Sequence, residues 1–88
     1  MPFVGMDVEA VRTLAGQLNS KADEIDTISS TLTSQLSTTQ WEGSDAGTFR
    51  SDWTTTHVSQ LSTVAAALRD AASNAIRNAD EQATASSA

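Results

Sequence analysis

The sequence predicts an all-α protein, an antiparallel helix-turn-helix hairpin. Helix one is expected over about residues 8–39, a turn over about 40–44, helix two over about 45–81 and a flexible tail at 82–88. Two observations carry this. Apolar residues recur at three- and four-residue steps through two long segments, the period of a helix with one buried stripe. Where the segments meet stand Gly43 and Gly47, four apart. Glycine is costly inside a helix and useful where φ must be positive, so the chain is expected to fold back about Trp41-Glu42-Gly43. A tryptophan in a tight turn then needs its own explanation.

The first six residues read as an irregular lead in which Phe3 and Val4 pack on the next helix end. Asp7 reads as an N-cap, with Met6 before it in reach of Val11. From Val8 the stripe runs through Val11, Leu14, Leu18, Ile25, Ile28 and Leu32, with a polar gap at Lys21. Val8, Ala15, Ala22 and Leu36 widen one flank, and Glu9, Arg12, Gln17, Lys21, Asp23, Glu24 and Asp26 fill the opposite face. Residues 29–39 hold eight hydroxyl side chains, which compete for the backbone and are mediocre helix formers. The four-residue spacing of Ile28, Leu32 and Leu36 nevertheless favours a helix held by packing over a linker or a strand.

Ser44 or Asp45 is expected to cap helix two, and Glu42 and Asp45 suit its positive end. The second stripe is Ala46, Phe49, Trp53, His57, Leu61, Val64, Leu68, Ala71, Ala75 and Ala79. It fits heptads from His57 onward and drifts by a stutter before that. Residues 64–79 are alanine-rich, so this end can approach a neighbour closely. Val58 and Ile76 lie beside the stripe as a candidate second surface.

Composition narrows the function. A chain of 88 residues is one small domain, short for a self-sufficient core. Two long helices sharing one thin seam favour a partner chain. A net charge of −6 with five scattered basic residues argues against nucleic acid, which demands clustered Lys and Arg, and disfavours anionic membranes. No run approaches the roughly 18 apolar residues of a membrane span. The N-terminus lacks a basic region followed by an apolar run, so no secretory signal peptide is read there. With no cysteine, disulfides and thiolate metal sites are excluded.

No catalytic constellation emerges, and no cofactor or metal is expected. His57 lies on the apolar stripe and reads as a packing or interface histidine; Asp52, five residues earlier, does not share its face. The carboxylates of Asp23-Glu24-Asp26 and Asp80-Glu81 read as solvated helix faces, with Arg77 and Glu81 a weak i,i+4 pair. A membrane-active helix would normally carry a Lys/Arg-rich polar face, which is absent here. Periodicity alone supports an acidic helical hairpin with adhesive faces, a binding module and not an enzyme.

At Trp41-Glu42-Gly43, set between two amphipathic helices in a short acidic chain, the sequence resembles the WXG (ESAT-like) family, small helical hairpins exported by the type VII (ESX) secretion system. The resemblance covers nearly the whole chain. It implies a Trp-x-Gly interhelical turn and a dimeric four-helix bundle, with a homodimer or a heterodimer with a related small WXG protein. The dimer seam would be Val11, Leu14, Leu18, Ile25, Ile28, Leu32, Phe49, Trp53, His57, Leu61, Val64 and Leu68. Trp41 would lay its ring on the partner's helix ends. The resemblance also implies secretion without a cleaved N-terminal signal after synthesis in the cytoplasm. The secretion ATPase would read a Tyr-x-x-x-Asp/Glu signal after helix two. Here Ile76 stands where that tyrosine is expected, Asp80 matches the acidic position, and Glu81 follows it. The departure at Ile76 raises three alternatives: Ile76 substituting for the tyrosine as an apolar contact, a partner that supplies the complete signal, or a cytosolic adaptor for a larger toxin-like protein.

Overall fold

The computed structural model describes residues 6–87, all helical apart from the approach to the first helix and the turn. Helix α1 runs Val8–Thr38; after the turn come α2 (Ser44–Asp52), a π-helical turn (Trp53–His57) and α3 (Val58–Ser87). The last three follow one another directly and form a single arm antiparallel to α1. The molecule is a rod of 65 × 17 × 14 Å. The expected hairpin is thus present; Phe3 and Val4 lie outside the described residues.

Asp7 caps α1 as its residue type predicts: its side chain accepts from the Ala10 N–H at 3.0 Å. The hydroxyl-rich segment is helical to Thr38. Its hydroxyls turn back onto the helix, Thr33 donating to Ser29 O at 2.7 Å and Thr38 to Ser34 O at 3.0 Å, and so do not break it. At the start of α2 neither Ser44 nor Asp45 caps. Gly43 is the N-cap, without a side-chain bond, because the chain enters the helix at φ 113°, ψ 175°. That conformation belongs almost exclusively to glycine. Gly47, by contrast, is an ordinary helical residue that donates to Gly43 O at 3.1 Å. At the other end α3 continues through Ser87, six residues past the expected end at Glu81, with Gln82 Nε2 donating to Ser86 Oγ. The expected Arg77–Glu81 pair is replaced by Arg77 donating to Asn74 Oδ1 at 2.8 Å.

The seam is built from small residues. Ala15, Ala22, Ala65, Ala72 and Ala79 are 0–1% exposed, as is Ala46, and among the described residues Trp53, at 7%, is the one large buried side chain. On α1 the alanines are flanked by half-buried Val8, Val11, Leu18, Ile25 and Leu36, and on α3 by Val58, Leu61, Leu68 and Ala75. Two interhelical ion pairs set the register: Arg12 to Asp80 at 3.0 Å and Arg69 to Asp23 at 2.8 Å. Each step up α1 is a step down α3. Leu18 therefore comes within two residues of the level of Ala72, Ile25 of Ala65 and Ala22 of Leu68, so that large side chains alternate with small ones along the seam and the helices can close together.

This shifts the centre of both stripes by one residue from the pattern of large apolar side chains. Ala15 and Ala22, expected on a flank, sit at the middle. Leu14, Ile28, Leu32, Phe49 and Val64, expected in the seam, are 39–51% exposed. A search for bulk overlooks an alanine column, because the closest approach of two helices belongs to the residues with least side chain.

The drift before His57 takes a definite form. Ala46 to Trp53 is seven residues, as are the steps Ala65 to Ala72 to Ala79, yet Trp53 to Leu61 is eight. At 3.6 residues per turn the extra residue would rotate the stripe by roughly 80°. The π turn absorbs it: the Val58 N–H reaches back to Trp53 O, one residue farther than an α-helix allows. Threonines make the loosening easier. Thr54 and Thr55 donate to Arg50 O and Ser51 O at 2.9 and 2.8 Å, occupying carbonyls that the backbone would otherwise engage.

Ala72→Leu tests the small-residue seam. A leucine facing Leu18 overfills the closest approach and should cost about 1–3 kcal/mol, read as a lower midpoint in thermal unfolding followed by circular dichroism. Leucine on the outer face, at Ser73, should leave the midpoint within error.

Candidate functional site

Two features outside the seam are built from side chains placed by the fold: the turn, and one long side of the hairpin.

At the turn, Arg50 does the work that capping residues leave undone. Its guanidinium donates to three carbonyls, two at the end of α1 and one in the turn, with Nε to Leu36 O at 3.1 Å, Nη2 to Thr39 O at 2.9 Å and Nη1 to Trp41 O at 2.6 Å. A planar cation at the negative end of α1 satisfies carbonyls that have no helical partner. The same group lies 5.8 Å from the Trp41 ring centroid, a cation–π distance. Nothing in the apolar pattern marks Arg50; only its place on the inner side of α2, one residue after Phe49, could have indicated it.

Trp41 is 42% exposed. Within the chain it leans on Phe49, ring centroids 6.2 Å apart, and Phe49 continues the row to Trp53 at 6.3 Å and to His57 at 6.4 Å. Trp53 is the buried member, its indole N–H donating to Thr33 Oγ1 at 2.9 Å. The Trp41-Glu42-Gly43 motif thus has a division of labour: Gly43 supplies the backbone angle, Arg50 fixes the carbonyl of Trp41, and the ring stays available at the tip.

The two long sides of the hairpin differ. On a helix the positions four after and one before each buried residue fall on opposite flanks, and in an antiparallel pair like flanks meet. One flank carries the interhelical ion pairs, Arg12 with Asp80, and Arg69 with Asp23 and with Asp26 at 2.7 Å. The hydrogen bonds that Arg12 donates to Asp80 and Glu9 raise its pKa above its ordinary value, and those that Arg69 donates to Asp23 and Asp26 do the same for Arg69. These pairs are exposed, so they set register more than they add stability. The acidic residues Asp23 and Asp26 are therefore turned toward helix two and not away from it.

The other flank has Leu14, Val64 and Ala71, each one residue before a buried alanine, and Ile28, one before half-buried Ser29. The register puts Ile28 level with Val64 and Lys21 level with Ala71. Lys21 pairs with Glu24 at 3.1 Å along its own helix. A shallow depression lined by Thr27, Ile28, Thr31 and Leu32 adjoins it. Residues 27–41 contain no charged side chain, and residues 54–68 only His57. These stretches lie side by side, so the half of the rod nearest the turn is uncharged above its tip while the ion pairs occupy the other half.

The expected seam residues therefore divide. Val11, Leu18, Ile25, Trp53, His57, Leu61 and Leu68 are buried or half-buried within the hairpin; Leu14, Ile28, Leu32, Phe49 and Val64 are open to solvent. Ile76, Asp80 and Glu81 line one shallow depression with Arg77 and Thr84, in which Ile76 is 41% exposed and Asp80 is held by Arg12. Among the described residues no cluster of His, Asp and Glu could hold a metal ion, and no helix is long and apolar enough to cross a membrane. This arrangement can bind a surface. Searches of protein-family models, of curated proteins and of solved structures return no match to this chain.

Two substitutions test the turn. Arg50→Lys should lower stability by about 2–3 kcal/mol, since a point charge cannot reach three carbonyls at once; denaturant unfolding measures the loss, and Trp41 fluorescence should shift with it. Gly43→Val should cost about 1–3 kcal/mol through backbone strain alone, although no neighbouring atom lies within 4 Å of an added Cβ.

Proposed function

We propose that this chain is a small substrate of a type VII (ESX) secretion system, or the co-exported partner of one, and that it acts by binding. The observation that carries the reading is the Trp41-Glu42-Gly43 turn: a glycine-only conformation at Gly43 beside a solvent-facing tryptophan, at the fold of a two-helix rod. The resemblance to the WXG family rests on the same three residues and supplies the biological context. In this reading the exposed side of the hairpin pairs with a second hairpin, its own copy or a related small WXG protein, to complete a dimeric four-helix bundle. The chain is made in the cytoplasm and exported without cleavage of an N-terminal signal. The segment around Ile76, Asp80 and Glu81 is offered to the secretion ATPase.

A second reading has its own support. Ile76 stands in place of the tyrosine of the export signal, and Asp80 is tied to Arg12, which occupies the acidic half of that signal. These features favour a cytosolic adaptor whose hairpin pairs with the N-terminal helices of a larger toxin-like protein and remains behind.

Removing residues 76–88 distinguishes the two. Export of the protein and of the product of its neighbouring gene should fall to background if the segment is read by the secretion machine; undiminished export of both would sink that role. Co-purification adds the partner's size, with a small helical protein expected on the first reading and a long multidomain chain on the second.

A further inference from the structure

The tip of the hairpin joins exposed aromatic rings to carboxylates that no cation of the chain answers. Trp41 and Phe49 are 42% and 41% exposed, with ring centroids 6.2 Å apart and planes tilted by 46°. Asp45 and Asp52 stand four before and three after Phe49, so the three share one side of α2. Each aspartate is exposed and comes one residue before a buried position, Ala46 or Trp53. Glu42, also exposed, follows Trp41 in the chain. Among the described residues Glu42, Asp45 and Asp52 form no ion pair, whereas Glu9, Asp23, Glu24, Asp26 and Asp80 all do. Asp45 lies in the first turn of α2, whose positive end offsets its charge; Asp52 lies about two turns beyond that end. Arg50 is the one Lys or Arg between Lys21 and Arg69. It is engaged with the carbonyls of Leu36, Thr39 and Trp41 and leaves these carboxylates unneutralised. Its position nevertheless shows what the tip accepts, because the guanidinium lies 5.8 Å from the Trp41 ring centroid.

We infer that the tip is a docking surface for a basic, arginine-bearing segment of a different protein, with a guanidinium laid against Trp41 and Phe49 and paired with the carboxylates around them. Charge complementarity selects this occupant. An anionic surface, whether lipid headgroups or a nucleic-acid backbone, is repelled by the rim. A purely apolar segment would strip water from the carboxylates and leave them without partners. A second copy of this chain does not bring the cation: Arg12, Lys21 and Arg69 are held in ion pairs, Arg50 in the turn, and Arg77 donates to Asn74. Shape narrows the choice further. Trp41, Phe49 and Trp53 follow one another at 6.2 and 6.3 Å, a ledge and not a cage around a small ammonium ion. The cation therefore arrives on a longer chain, whose aliphatic stem and apolar neighbours cover Phe49. Arginine suits the ledge better than lysine, because its planar group stacks on a ring while still donating to a carboxylate. The inference stands on the tip alone and holds whether the chain is exported or retained.

The test titrates the full chain with a short acetylated, amidated peptide of alternating arginine and leucine. Calorimetry gives the affinity, and NMR follows the two indole N–H signals, that of Trp41 being assigned by its loss in Trp41→Leu. The Trp41 signal should shift, while that of Trp53, bonded to Thr33, should stay. The same peptide with lysine for arginine should bind more weakly. Asp45→Asn with Asp52→Asn should weaken binding about three- to tenfold. Glu24→Gln with Asp70→Asn, which remove the same charge far from the tip, should change it less than about twofold. Trp41→Leu should weaken it about two- to fivefold. A Trp41 signal that never moves overturns the proposal, as does a lysine peptide that binds equally well. Equal weakening in both double variants, the mark of a diffuse field, overturns it too, as does tighter binding of a glutamate–leucine peptide or of phosphatidylglycerol vesicles. The unmodified chain decides the first, second and last of these, so a variant that loses its helical circular dichroism leaves the proposal open to refutation.

Discussion

The close approach of α1 and α3 over alanine is the constraint on which the rest depends. Because Ala15, Ala22, Ala65, Ala72 and Ala79 occupy the contact line, the helices come together with almost no volume between them, and the large side chains are left at the edges. Each edge then had to be resolved differently. On one, arginines reach across to aspartates and fix the register. On the other, leucine, isoleucine and valine stay open to water. The amount of apolar surface buried inside one hairpin is correspondingly small, and hydrophobic stabilisation scales with that area. Such a fold is marginal alone and gains by any association that covers its open edge.

The turn solves a different problem. A helix ending in Thr38 leaves carbonyls without partners, and the short crossing to Ser44 has no room for a side-chain cap on the second helix. Arg50 reaches back across the turn and engages the carbonyls of Leu36 and Thr39 at the helix end and of Trp41 in the turn, while the backbone angle at Gly43 makes the crossing possible. The price is that the Trp41 ring is left outside, held by Phe49 and the guanidinium but shielded on one side only.

Much of the architecture was legible in the residues. The two helical periods, the cap at Asp7 and the fold-back at Gly43 were all readable, since each depends on local chemistry. Three things were not. The seam was displaced by one residue because the period was traced through the largest side chains, whereas interhelical distance is set by the smallest. The π turn was legible only as a drift, since an eight-residue step can be absorbed by rotating the stripe or by widening one turn, and only the whole packed arm decides between them. The role of Arg50 depends on three carbonyls distant in sequence, which no local pattern can reveal. Among the residues expected in the dimer seam, Val11 and Leu18 face inward within the hairpin and Leu14 and Ile28 face out, a division that periodicity alone could not make.

The Arg12–Asp80 pair lies near the free ends of the rod and the Arg69 pairs with Asp23 and Asp26 near its middle, none of them at the turn, and this sets how it comes apart. Near the termini the arms are held by exposed charges and by layers such as Ala15 level with Ala75, where little apolar area is at stake. Near the turn they are held by buried Trp53, its bond to Thr33 and the threefold grip of Arg50. The hairpin therefore behaves as tweezers hinged at the tip. Its arms part first at the free ends, where salt weakens the clasp, and protection of backbone amides against exchange should climb steadily from the termini to the hinge. The stretch around Ile76 and Asp80, close to the free end of the second arm at Ser87, is released early in such parting.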